Sequence, residues 1–130
     1  MIRVAGTVLV VDDNPLNLEL VSDVLTAAGL TVRQAGSGEE ALRVARELPP
    51  DLILLDIGLP GMDGYAAVRA LRADPATRGI ITVALTAFAM PEDAARAREA
   101  GFDGYISKPV HTRSLAEVVA KLLSARRRSA

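Results

Sequence analysis

Short apolar runs alternate along this chain with segments whose apolar residues recur at helical spacing, the pattern of repeated βαβ units around a mostly parallel sheet. Val8-Leu9-Val10-Val11 predicts a first strand over about Thr7 to Val11. Asn14-Pro15 reads as an N-cap with proline at the first helical position. The helix it opens runs to about Ala28 and is stopped by Gly29. Leu16, Leu20 and Val24 lie along one face of that helix, with Val21 and Leu25 beside it, so this face is expected to be buried. Residues 30 to 35 alternate through Leu30 and Val32 to Gln34, which suits a shorter, more exposed strand. Ser37-Gly38-Glu39-Glu40 fits a capping box, with Ser37 as the cap. Its helix is expected to bury Ala41, Ala45 and Leu48 before Pro49-Pro50 ends it.

Leu52 to Leu55 is continuously apolar, as in a strand covered on both faces. A loop rich in turn residues, Gly58 to Gly64, leads to a helix over Tyr65 to Ala73 with Val68 and Leu71 facing inward. Further on are a strand near Ile80 to Leu85, a helix from about Pro91 to Gly101, and a strand at Tyr105 to Ser107. A last helix, Thr112 to Ser124, offers Leu115, Val119 and Leu122 to the core. The organisation expected is a leader over residues 1–6, one domain over 7–124 and a basic tail over 125–130. Arg126-Arg127-Arg128 in that tail reads as a solvated, fraying terminus. The opening Met1 and this tail lead us to expect a complete chain.

Composition narrows the function more than the fold. At 130 residues the chain suits a single domain, and with only two Phe, two Tyr and no Trp its core must be aliphatic. A formal net charge of -1 creates no field that would favour nucleic acid or an anionic membrane. No apolar stretch approaches the roughly 20 residues of a membrane span, and the first residues lack the apolar segment of a secretory signal. Without cysteine there is no disulfide, thiol nucleophile or thiolate metal site. A cytoplasmic location is the expectation.

Five polar residues close the predicted strands or the turns just after them. Asp12-Asp13 follows the first, Asp56 ends the third, Thr86 ends the fourth, and Lys108-Pro109 follows the fifth. In parallel strands of one sheet these side chains would emerge at the same carboxyl edge, where open α/β sheets bind ligands. Asp12-Asp13 alone is ordinarily a solvated turn beside a helix start. With Asp56 the pair becomes a hard-cation site, because Mg²⁺ takes oxygen ligands. A carboxylate can itself be the nucleophile that accepts a phosphoryl group. Thr86 has a hydroxyl to donate to a phosphate oxygen, and Lys108 a mobile positive charge.

These segments resemble the receiver domains of two-component signalling, in the layout of the chemotaxis regulator. The matching pieces are V-L-V-V-D-D-N from Val8, D-L-I-L-L-D-I-G-L-P-G-M-D-G from Asp51, T-A-F-A-M from Thr86 and Y-I-S-K-P from Tyr105. They keep the family's order and spacing, with 30 residues from Asp56 to Thr86 and 22 more to Lys108. The last two segments further resemble stand-alone regulators of the DivK type and receivers attached to hybrid histidine kinases. The resemblance implies a flavodoxin-like doubly wound α/β fold, with five parallel strands in the order 2-1-3-4-5 and helices on both faces. It implies that Asp56 is the phosphoacceptor, and that Asp13, Asp56 and the Gly58 carbonyl ligate Mg²⁺, with Mn²⁺ able to substitute. Asp12 would hold a metal-bound water, Thr86 and Lys108 would contact the phosphoryl oxygens, and Tyr105 would be the switch aromatic. The implied partners are a histidine kinase or histidine phosphotransfer protein and a downstream protein target. Neither direct DNA binding nor a membrane is implied, and the protein would be a monomer or a weak phosphorylation-dependent dimer.

Gly58 and Phe88 depart from fast-resetting members, which tend to carry polar groups there, so slow self-dephosphorylation is expected. An aspartyl phosphohydrolase would need a second acid where Gly58 stands. A receiver used only as a binding module would not need all five positions filled. A nucleotide- or flavin-binding domain would want a glycine-rich turn after the first strand. His111, Met62 and Met90 read as surface or packing residues.

Overall fold

The computed structural model describes residues 6–86, 91–107 and 112–129. Five strands, β1 (Thr7–Val11), β2 (Thr31–Ala35), β3 (Leu52–Asp56), β4 (Ile81–Thr86) and β5 (Gly104–Ser107), form one sheet. Their order is β2-β1-β3-β4-β5, and every pairing is parallel. Between and after them run α1 (Pro15–Ala27), α2 (Gly38–Glu47), α3 (Gly64–Ala73), α4 (Pro91–Ala100) and α5 (Thr112–Ser129). The doubly wound α/β arrangement and its strand order are those the sequence predicts.

The alternation of side chains along each strand divides the core into two layers. Leu9, Val11, Ile53, Leu55 and Ala84 face α2, α3 and α4, where Ala41, Ala45, Ala67, Val68, Leu71, Ala97 and Ala100 meet them. Val8, Val10, Leu52, Leu54, Val83 and Leu85 face α1 and α5, and pack on Val21, Leu25, Leu115, Val119 and Leu123. Because β1 and β3 are covered on both sides, neither can slip by one residue without sending its apolar set into the wrong layer.

The helix starts are set locally. Asn14 accepts hydrogen bonds from the Leu16 and Asn17 amides, with Pro15 behind it. Ser37 accepts from the Glu40 amide at 3.1 Å, the first half of the expected capping box. Asp63 accepts from the Ala66 amide at 2.9 Å. α1, α2 and α3 each follow a parallel strand, so all three start at the carboxyl edge of the sheet.

The structure corrects the expected burial in three helices and the end of one. Leu16 and Leu20 are 75% and 48% exposed, and α1 buries Val21 and Leu25 instead. Apolar residues occupy two adjacent stripes of α1, and docking against β2 and α5 selects the second. Leu48 is 61% exposed, because it caps α2 outside helical geometry and swings off the buried face. In α5, Leu123 is buried where Leu122 was expected, and Leu122 packs at the margin of the same layer. The helix also continues to Ser129, past the predicted end at Ser124, so most of the predicted tail is helical.

At the opposite, amino edge of the sheet, one guanidinium ties three segments together. Arg72, at the end of α3, donates to the carbonyls of Gly101, Arg78 and Ile80 at 2.9, 2.7 and 2.8 Å. It also pairs with Asp103 at 2.7 Å. The same Asp103 oxygen accepts from the Thr82 amide at 2.9 Å. Arg72→Ala is therefore expected to cost about 2–3 kcal/mol in urea unfolding, since several backbone carbonyls lose a charged donor. Leu16→Ala, at an exposed position, should stay within about 0.5 kcal/mol of the parent; similar losses for both would show that the Arg72 contacts contribute little.

Candidate functional site

Parallel register brings the chemistry together. Val11 stands level with Leu55 and Asp56 with Leu85, so Asp12 and Asp56 leave neighbouring strands at the same height and Thr86 stands one residue further along β4. One carboxylate oxygen from each of Asp12, Asp13 and Asp56 lies within 4.8 Å of the others. Asp12 and Asp56 are 2% and 7% exposed, and Thr86 is likewise buried, whereas Asp13 faces solvent. Backbone amides aim the two buried acids: Asn14 donates to Asp12 Oδ1 at 2.9 Å, and Gly58 to Asp56 Oδ1 at 2.8 Å. Three ionised carboxylates this close repel one another, and the usual relief is a cation or a shared proton.

Gly58 sits in the exposed turn after β3. Among the described residues, a Cβ there would meet Asp56 Oδ1 at 3.6 Å, an ordinary contact distance. The far end of this loop is fastened by Gly64, whose amide donates to the Ile57 carbonyl at 3.0 Å. Its middle is held by Glu39 of α2, which accepts from the Met62 amide at 3.3 Å.

Tyr105 pairs in register with Ala84, and Thr86 lies two residues beyond Ala84 on the same face of the sheet. Ala84, between them along this face, is fully buried. The Tyr105 ring packs against the α2–α3–α4 layer, and its hydroxyl is buried with no hydrogen-bond partner among the described residues. Burial pushes its pKa above the usual phenol value, with Asp93 and then Tyr65 adding to the shift. Next to it, Tyr65 meets Phe102 edge-on at 6.3 Å and carries the Arg96 guanidinium 4.4 Å above its ring. The sequence reading singled out neither Arg72 nor the Tyr65–Arg96 pair; an arginine on a helix announces no partner until topology supplies one.

Of the predicted site, the structure thus gathers Asp12, Asp13 and Asp56, and sets Gly58, Thr86 and Tyr105 on the strands and turn around them. Lys108 lies outside the described residues, as do Ala87, Phe88, Met90, Pro109 and His111. Ser107, the residue before Lys108, is level with Thr86 at the same edge.

Comparison with known proteins places this arrangement. The pattern of the response regulator receiver domain matches residues 8–120. The chain belongs to that family. Among its curated relatives, the polar-differentiation response regulator DivK of Brucella ovis is 42% identical over 117 residues, covering 90% of this chain and 95% of that one. The receiver domain of a signal transduction histidine kinase from Syntrophus aciditrophicus superposes with a TM-score of 0.84 at 38% identity, over 92% of this chain and 91% of the other. The chemotaxis protein CheY4 of Vibrio cholerae does so with 0.85 at 30% identity, over 91% and 98%. This is a receiver domain of two-component signalling, and no helix among its described residues is long and apolar enough to cross a membrane.

The buried phenol makes a prediction about this receiver. At neutral pH, Tyr105→Phe should leave the urea midpoint unchanged or slightly raised, because it removes a buried hydroxyl that has no hydrogen-bond partner among the described residues. With its folded pKa raised, Tyr105 stays protonated where the unfolded chain ionises, so stability falls as pH rises above about 10. That fall should be shallower in Tyr105→Phe, and equal slopes would count against the inward ring.

Proposed function

We propose that this receiver accepts a phosphoryl group onto Asp56 from the phosphohistidine of a histidine kinase or histidine phosphotransfer protein, with Mg²⁺ bound among Asp12, Asp13, Asp56 and the Gly58 carbonyl. The observation that carries this reading is the meeting of three carboxylates at the end of a strand that is otherwise wholly apolar. The donor set fits the ion: all-oxygen, anionic, and partly open to water at Asp13. Bound there, Mg²⁺ (or Mn²⁺) would offset the negative charge that gathers as a phosphoryl group approaches carboxylates.

The chain's own residues do the rest. An Asp56 carboxylate oxygen attacks phosphorus, an O–P bond forms, the N–P bond of the donor breaks, and the imidazole leaves with the bonding pair. The Gly58 amide, already on Asp56 Oδ1, restrains the carboxylate during this exchange. The Thr86 hydroxyl donates to one phosphoryl oxygen and the Lys108 ammonium pairs with another. The product carries about −1.5 to −2 charges, which draws Thr86 toward it and opens the space above Ala84 to Tyr105. Phosphorylation then shifts the balance between two arrangements of the surface around α4, β5 and α5, read by a downstream protein. We take the working unit as residues 7 to the end of α5, acting in the cytoplasm as a monomer or weak phosphorylation-dependent dimer, without binding DNA itself.

The same geometry bears on how long the signal lasts. Hydrolysis needs a water in line with the Asp56–phosphorus bond, and positioning is most of what a protein contributes. Gly58 has no side chain and Phe88 no strong hydrogen-bonding group to hold that water, so the phosphoprotein is long-lived and is reset by back-transfer or a partner phosphatase.

Two measurements test these statements. Acetyl phosphate with Mg²⁺ should add one phosphoryl group by mass spectrometry, and Asp56→Asn should abolish it; equal labelling of that variant would remove Asp56 as acceptor. Purified phosphoprotein should decay over minutes or longer, and Gly58→Asn with Phe88→Glu should accelerate the decay by about tenfold. Loss of wild-type label within seconds, or no acceleration in the double variant, would refute the account of its lifetime.

A further inference from the structure

Gly64, the buried first residue of α3, touches the backbone that carries the acceptor. A Cβ built on it would stand 2.6 Å from the Ile57 Cα, 2.9 Å from the Asp56 carbonyl oxygen and 3.2 Å from the Ile57 nitrogen. All three atoms are main chain, so no rotamer change could relieve the clash. The peptide they belong to is pinned on its other side as well, where the Ile57 amide donates to the Leu85 carbonyl of β4 at 3.0 Å. The link between Asp56 and Ile57 is therefore clasped between β4 and the first turn of α3.

Other glycines are not used this way. Among the described residues, Gly36 and Gly79 have nothing within 4 Å of where a Cβ would stand, and a Cβ on Gly58 would meet one side-chain oxygen. Gly38 opens α2 in the same way that Gly64 opens α3, but it approaches Met62 in the loop and not the acceptor strand. At the start of α3 the main-chain contacts leave no room for a Cβ.

We infer that Gly64 is a positioning residue for Asp56. Its lack of a side chain lets α3 close on the Asp56–Ile57 peptide, and that closure sets where the Asp56 carboxylate stands relative to Asp12 and Asp13. The inference rests on Asp56 being the acceptor. A methyl group at Gly64 has to displace either α3 or the acceptor peptide, and a misplacement of about 1 Å can cost about a hundredfold in rate.

The test uses the full chain and acetyl phosphate, at Mg²⁺ concentrations that saturate each variant. Gly64→Ala should fold, as shown by circular dichroism and a single cooperative melt, yet take label at least about tenfold more slowly than wild type. Its affinity for beryllofluoride, followed by ¹⁹F NMR of the bound form, should fall in parallel. Val119→Ala, a fully buried position of α5 beneath the opposite face of the sheet, is the stability control. It should lower the melting temperature by as much or more, while its labelling rate stays within about twofold of wild type. A folded Gly64→Ala labelled at the wild-type rate would overturn the positioning role alone. So would a Val119→Ala chain slowed as much as Gly64→Ala, and a Gly64→Ala chain unable to fold would assign the contact to folding and overturn the role equally. Wild-type protein that takes no label would instead overturn the Asp56 reading, and the inference with it.

Discussion

A strand sealed on both faces must end somewhere, and in this protein it ends on a charge. Leu52 to Leu55 are fully buried between the two helical layers, and Asp56 follows with no change of direction. Ionised carboxylate at such a place is tolerable only where dipoles, hydrogen-bond donors or a cation face it. The Gly58 amide meets part of that demand. The neighbouring Asp12 and Asp13 then add charge of the same sign. The apolar strand therefore fixes the acid's position closely, and three carboxylates of like sign make the place one where positive charge is favoured.

Much of this was legible in the residues because the relevant physics is local or periodic. Continuous apolar runs betray central parallel strands, and strand-end polar residues then fall at one edge by topology alone. Asn14-Pro15 and Ser37 announce helix starts through hydrogen bonds made within a few residues. What the residues hid are choices made by tertiary contact. Either of two stripes on α1 could have faced inward, and Leu16 and Leu20 lost to Val21 and Leu25 only when β2 and α5 took their places. Arg72 and Asp103 are far apart along the chain, and their pairing exists only because α3 and β5 are brought together by the sheet. The closeness of Gly64 to Ile57 is hidden in the same way, since a glycine opening a helix looks the same whether it is crowded or free.

The two edges of the sheet are built on different principles. The amino edge is fastened by a charged group with fixed geometry, holding three carbonyls and a carboxylate at once. The carboxyl edge relies on backbone amides, turn residues and close packing against glycine, and it gathers buried polar groups at the strand ends. Mutational tolerance should follow this division: changes at the first edge act on the whole fold, and changes at the second act on the chemistry first.

The composition has an optical consequence. The chain has two tyrosines and no tryptophan, and both tyrosines lie in one neighbourhood, Tyr65 under Arg96 and Tyr105 on the adjoining strand. Near-ultraviolet absorption and intrinsic emission above about 275 nm thus come almost wholly from the α3–α4–β5 corner, because phenylalanine contributes little there. Without any label attached, tyrosine fluorescence of this protein watches that corner and not the remainder of the molecule.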